Sequence, residues 1–80
     1  MTNVTTQVDA KHVERFRKDC EYYADEPVTA EKIKDTLYVY GSELACRRIE
    51  HTFRHTDTAR KSFGYSKNLE TWFFGLTINN

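Results

Sequence analysis

The sequence predicts a single α+β domain, in which an N-terminal helix and one or two further helices pack on a small antiparallel sheet. Three observations predict this fold class: a helical apolar repeat near the start, a β-rich segment in the middle and alternating aromatic residues near the end. The chain has 80 residues, which by size is one domain, 1–80. Aromatic residues make up 14% of the chain, and these large rings compensate for the small core that so short a chain can bury.

The first predicted element is a helix from about Asp9 to Ala24. Its apolar residues recur every three or four positions, as on one buried helix face; they are Val13, Phe16, Cys20 and Tyr23. The helix should end before Pro27, because the residue before a proline is pushed out of the helical region. The polar residues 1–7 are expected to form a loose arm.

The middle of the chain holds one clear segment and two ambiguous ones. Residues 36–40 are dense in β-forming side chains and are predicted to be a strand, whereas residues 29–34 could begin a short helix. Residues 43–55 fit both a helical and a strand pattern. A helix capped by Ser42 is favoured there, because a strand would bury an arginine and a histidine beside Ile49. The inner side of this helix would carry Leu44, Ala45, Arg48, Ile49, Thr52 and Phe53.

The last third of the chain is predicted to contain a strand over residues 59–66, after a turn at residues 56–58. Residues 69–78 match a helical repeat and are also rich in β-formers, so both structures stay open. Residues 66–68 are then either a hairpin turn or the start of a helix. The expected core residues are Phe16, Ile49, Phe53 and Trp72.

The charges cancel overall, with 12 basic and 12 acidic side chains, but they are separated along the chain. The segment 47–67 is basic, and its candidate partner-binding residues are Arg47, Arg48, Arg54, Arg60 and Lys61. The region 19–35 is acidic, and its candidates are Glu21, Tyr22, Tyr23 and Asp25. Arginine and tyrosine are enriched at the centres of protein interfaces, whereas Asp and Glu are depleted there. Both sets therefore indicate protein binding, and the arginine set is preferred.

No enzyme motif is present in the sequence. There is no nucleophile elbow, and three scattered glycines form no phosphate-binding loop. His51 and His55 have a spacing that metal sites use, but no Cys-x-x-Cys or His-Glu-x-x-His accompanies them. We therefore expect a non-catalytic protein with no metal and no cofactor. Cys20 and Cys46 are expected to be free thiols with structural roles.

Nucleic-acid binding is the alternative function, as a small accessory protein. The basic segment 47–67 is interleaved with aromatic residues, and such surfaces hold phosphates and stack bases. Zero net charge argues against it, because phosphate binding usually shows as a basic domain. The sequence has no apolar run that could span a bilayer and no secretory signal pattern, so we expect a cytoplasmic location and no membrane partner.

Residues Asn68–Leu76 read Asn-Leu-Glu-Thr-Trp-Phe-Phe-Gly-Leu, and they resemble the closing helix of small phage-encoded type I anti-CRISPR proteins. The resemblance implies a compact α+β inhibitor from a phage or mobile element, which binds the CRISPR surveillance complex of its host and blocks target DNA. It also implies a final helix and a location in the host-cell cytoplasm. The contact residues of that family lie outside the matching stretch. The chain departs from the family in its long first helix and its basic central segment.

Overall fold

The computed structural model describes residues 2–55 and 59–78, with side chains described for residues 12–55 and 60–77. The elements are α1 (Thr2–Ala24), β1 (Thr29–Ile33), β2 (Thr36–Gly41), α2 (Glu43–Phe53), β3 (Ala59–Ser66) and β4 (Thr71–Ile78). The strands form one antiparallel sheet in the order β1-β2-β4-β3. Both helices pack on the same face of this sheet. The predicted α+β fold class is confirmed, with one further helix after the first.

The helix α1 is longer than the sequence predicted. It begins at Thr2 and not near Asp9, so residues 2–7 are helical in the segment where a loose arm was expected. No glycine or proline interrupts this stretch, and each residue added to an existing helix gains a hydrogen bond at a low entropic cost. The end of the helix is as predicted: Asp25 has a positive φ of 58°, and its N–H donates to the carbonyl of Glu21 at 2.8 Å.

The strand β1 replaces the short helix that the sequence allowed after Pro27. Pairing with β2 decides the structure of this segment, because Thr29 lies opposite Tyr40 and Ile33 lies opposite Thr36. The turn between the two strands includes Lys34, which has a positive φ of 56°. β1 therefore depends on its neighbouring strand more than on its own composition.

The helix α2 confirms the prediction for residues 43–53. Ser42 is its N-terminal cap, and the Ser42 hydroxyl accepts a hydrogen bond from the N–H of Ala45 at 3.1 Å. Ala45, Cys46 and Ile49 are buried against the core. Leu44 was expected on the inner side but is 50% exposed, because it lies across the helix axis from those three residues.

The strands β3 and β4 form a hairpin, and residues 67–70 make its turn. The final helix implied by the resemblance is wrong, because β4 pairs with both β2 and β3 in the interior of the sheet. Phe74 of β4 is fully buried and lies opposite Val39 on one neighbouring strand and Phe63 on the other. The turn predicted at residues 56–58 lies outside the described residues.

The core lies between the two helices and one face of the sheet. Its largest fully buried side chains are Phe74, Ile49, Val39, Cys20 and Cys46. Phe16 and Phe53 are partly buried rings that pack against this core. Trp72 is only half-buried, and Phe74 takes the central position that was expected for it. The ring of Phe53 stacks on Phe74 with centroids 5.7 Å apart, which fixes α2 over the middle of the sheet.

Candidate binding surfaces

The two cysteines are buried in the core. Cys20 and Cys46 are free thiols, as the sequence predicted. Burial raises the pKa of the Cys20 thiol from 9.0 to about 12, and it raises the pKa of Cys46 to about 11. Because the thiolate is the nucleophilic form, both groups are inert packing residues at neutral pH.

Three of the five predicted basic residues lie together on the flank of α2 that borders β3. The guanidinium of Arg47 lies over the ring of Phe63 in β3, 5.5 Å from the ring centroid. Arg54 lies two helical turns further along the same flank. Glu50 lies between the two arginines on the helix. The pKa of its carboxyl is lowered by Arg54 and, to a smaller extent, by the charge of Lys61 in β3. The flank of α2 that borders β3 is therefore basic, and the aromatic ring of Phe63 lies beneath it.

Each of these two arginines is paired with a glutamate one turn earlier in α2. Arg47 contacts Glu43 at 2.7 Å, and Arg54 contacts Glu50 at 3.0 Å. The hydrogen bond from Arg54 holds the pKa of the Glu50 carboxyl below its ordinary value. Exposed helix pairs of this kind contribute little to stability, because water and salt screen them. A carboxylate from a partner could therefore replace either glutamate at little cost.

The other two predicted basic residues lie elsewhere. Arg48 is on the opposite flank of α2, where its guanidinium donates to the backbone carbonyl of Ala24 at 2.6 Å and closes the end of α1. Arg60 precedes Lys61 in β3, and neighbouring residues of a strand point to opposite faces of the sheet. The five residues thus do not form one continuous basic face, because their side-chain directions follow the helix and strand that carry them.

A cluster of three rings lies beside Arg47 at the edge of the sheet. Phe63 and Tyr65 of β3 flank Trp72 of β4, with ring centroids 5.6 and 5.7 Å from it. Tyr65 is 50% exposed and the other two rings are half-buried, because α2 covers the centre of the sheet and not this edge. The alternation of Phe63 and Tyr65 was the sequence signal for this cluster. We call the following set the arginine–aromatic surface: Arg47, Arg54, Lys61, Phe63, Tyr65 and Trp72.

The acidic candidate set lies at the C-terminal end of α1, and part of it is structural. Glu21 pairs with Arg17 at 2.7 Å and accepts a hydrogen bond from the backbone N–H of Val28 at 3.2 Å. Tyr23 packs edge-on against Phe53, with ring centroids 5.9 Å apart. The contacts with Val28 and Phe53 hold α1 to the rest of the fold.

The remaining acidic candidates are more exposed. Tyr22 is 84% exposed, and Asp25 is exposed at the turn that ends the helix. A shallow cleft of about 290 Å³ lies beside them, lined by Glu21, Asp25, Glu26 and Pro27. Tyr22 is thus the one ring of this set that lies mostly in solvent.

The face of the sheet opposite the helices is a third surface, which the sequence did not predict. Tyr38 is central to it, with its ring centroid 6.3 Å from that of Tyr40 and 6.0 Å from that of Phe73. The Tyr40 hydroxyl donates to the Glu31 carboxylate. Burial, together with this hydrogen bond, raises the pKa of Tyr40. Beside Tyr40 lies an open cleft of about 420 Å³, lined by Thr29, Ala30, Glu31, Tyr40, Gly41, Leu69 and Thr71.

Comparisons with protein-family models, curated proteins and solved structures gave no match. Within the described ranges, no group of three or more His, Cys, Asp or Glu side chains is placed to hold a metal ion. No helix in the same ranges is long and apolar enough to cross a bilayer. The three surfaces are therefore the basis for a functional proposal.

Proposed function

We propose that this chain is a small non-catalytic binding protein of a phage or mobile element, which inhibits a host defence protein through its arginine–aromatic surface. The observation that carries the proposal is the Arg47 guanidinium over the Phe63 ring, next to the half-exposed Tyr65. Arg, Tyr and Trp are the residues that most often carry binding energy at protein interfaces, and this surface combines all three.

The pairing of the arginines favours a protein partner with acidic side chains over a nucleic acid. Arg47 and Arg54 alternate with Glu43 and Glu50 along the flank of α2, so the positive charge density is low for binding a phosphate backbone. Guanidinium groups bind carboxylates with two parallel hydrogen bonds, so each of these arginines is suited to bind one acidic side chain of a partner protein.

The resemblance of Asn68–Leu76 to type I anti-CRISPR proteins supplies the biological setting of the proposal. The partner is then a protein subunit of the CRISPR surveillance complex in the host-cell cytoplasm, and the effect is loss of target-DNA binding. The geometry around Arg47 supports the choice of binding surface, because the matching stretch contains only one of its members, Trp72.

A gel-shift experiment tests this function. A purified type I surveillance complex is incubated with labelled target DNA, and increasing amounts of the protein are added. We expect the shifted band to disappear, and we expect the protein alone to leave the DNA unshifted. Unchanged DNA binding by the complex would contradict the proposal. A shift of free DNA that weakens steeply with salt would support the nucleic-acid alternative instead.

A further inference from the structure

The strand β3 is a long edge strand of the sheet, with eight residues. One of its edges pairs with β4 over its whole length, from Ala59 to Ser66. In the part of the chain that the structure describes, no strand pairs with its other edge. An edge strand presents backbone N–H and C=O groups to which a strand from another chain can pair. The stretch most open to such pairing is residues 62–66, which carry no charged side chain.

The opposite edge of the sheet is protected against pairing. β1 has only five residues, and Glu31 and Lys32 lie in its interior. Short strands and charged side chains are the usual means by which proteins blunt a sheet edge. β3 lacks this protection over residues 62–66, where Phe63 and Tyr65 remain partly exposed.

The surroundings of β3 define which side chains an added strand would need. Alternate side chains of such a strand lie on opposite faces of the sheet. On the helix-bearing face they would contact Phe63 and Tyr65 and come close to Arg47, and on the other face they would lie near Arg60. Apolar side chains suit the rings, and carboxylates suit the guanidinium groups on both faces.

A second copy of this chain fits the edge less well than an acidic segment does. Two β3 strands placed side by side would bring two copies of Arg60 and Lys61 into one ribbon. Charges of the same sign on adjacent strands repel one another, whereas a carboxylate on the added strand is attracted. The basic residues thus disfavour self-association at the same edge where they attract a carboxylate.

We infer that the partner contributes an extended acidic segment, which pairs with the outer edge of β3 as a fifth strand and places carboxylates on Arg47 and Arg60. The inference rests on the proposed function, because the arginine–aromatic surface receives this segment. Main-chain hydrogen bonds supply affinity in this mode of recognition, and the side chains on alternate positions supply specificity.

Amide hydrogen exchange measured by NMR tests the inference. The probe is a blocked peptide of Val and Glu about as long as β3, in which the Glu residues stand in adjacent pairs so that each face of the added strand carries a carboxylate. The matched control replaces each Glu by Lys. In the free protein, alternate amides within residues 62–66 should exchange quickly, because they point away from β4. We expect the Val-Glu peptide to slow exchange of these amides about tenfold or more, and we expect the Val-Lys peptide to leave them unchanged.

The other outcomes each overturn the inference in a distinct way. Shifted signals of Arg47 and Phe63 without slowed exchange in β3 would exclude strand addition and leave the proposed function standing. Equal protection by both peptides would exclude the acidic requirement, and no response to either would exclude the segment altogether. Protection that is already present in the free protein and is lost on dilution would assign the edge to a second copy.

Discussion

Two glycines of the β3–β4 hairpin face aromatic rings on the open side of the sheet, with different clearances. A Cβ atom at Gly75 would lie 2.6 Å from the Ser62 hydroxyl and 2.9 Å from the Tyr38 ring. At Gly64 the nearest atom, in the Phe73 ring, would be 3.5 Å away, which is ordinary contact. Neither glycine has a positive φ, so the difference between them is one of space.

This difference predicts opposite tolerance of the two positions to alanine. Gly75→Ala should lower the free energy of unfolding by about 1–3 kcal/mol, because the ring of Tyr38 or the strand must move. Gly64→Ala is the matched control and should be nearly neutral, since it also removes backbone freedom from the unfolded chain. Urea denaturation of both variants measures the effect. Equal losses would contradict the placement of Tyr38 over β4.

The cysteines predict how stability depends on alkaline pH. Folding raises the pKa of Cys20 from 9.0 to about 12 and that of Cys46 to about 11. Unfolded thiols therefore release protons at a lower pH than folded ones, so their contribution to stability is full below about pH 9 and is lost as the pH rises toward the folded values. We expect the free energy of unfolding to fall between these limits.

The measurement for this pH dependence is a series of urea titrations from neutral to alkaline pH. The double variant Cys20→Ala/Cys46→Ala is the control, because it removes both thiols and leaves the other titrating groups in place. Its stability should be lower at neutral pH but should fall less as the pH rises. An equally steep fall in the variant would show that the thiols are not the cause.

At the scale of elements, Ser42 joins α2 to the connection between α1 and β1. Its hydroxyl accepts from the N–H of Ala45 at 3.1 Å and donates to the Glu26 carboxylate at 2.7 Å. Ser42→Ala should cost about 0.5–2 kcal/mol of unfolding free energy, which is the usual range for loss of a helix cap. Ser42→Thr keeps the hydroxyl and should retain most of the stability. Thermal denaturation compares the two variants, and an unaffected Ser42→Ala variant would contradict the capping role.

The elements that the sequence predicted well are those with local signals. The cap at Ser42 predicted the start of α2, and the break before Pro27 predicted the end of α1, each to within a few residues of the observed bound. Local sequence could not decide whether β4 is a helix or a strand. Phe74 becomes a strand residue only by pairing with Val39, which is distant in sequence. Prediction of the β1 segment failed for the same reason.

The candidate site was partly predictable by the same logic. Composition correctly indicated that Arg47, Arg54 and Lys61 lie in a basic segment, but it could not separate them from Arg48 and Arg60. That separation depends on the direction of each side chain from its helix or strand, and on the packing of α2 against α1 and β3.

Across the described part of the molecule, the helices cover one face of the sheet and leave its β3 edge and its other face open. The arginine–aromatic surface lies at that edge and combines weakly paired arginines with exposed rings. Arg48 and Glu21 have structural partners in α1 and its connection to β1, so charge reversal at either would disturb the fold together with any interface. Arg47 and Arg54 are therefore the residues at which binding is tested.

Binding of a purified type I surveillance complex to three immobilised forms of the protein tests whether Arg47 and Arg54 bind a protein partner. The three forms are the unchanged chain, Arg47→Glu/Arg54→Glu, and the control Arg15→Glu/Lys18→Glu, which makes the same change in net charge on the exposed surface of α1. Circular dichroism establishes that all three forms are folded. We expect the unchanged chain and the control to bind alike, and we expect Arg47→Glu/Arg54→Glu to lose binding. Full binding by Arg47→Glu/Arg54→Glu, or an equal loss in both variants, would contradict the proposal.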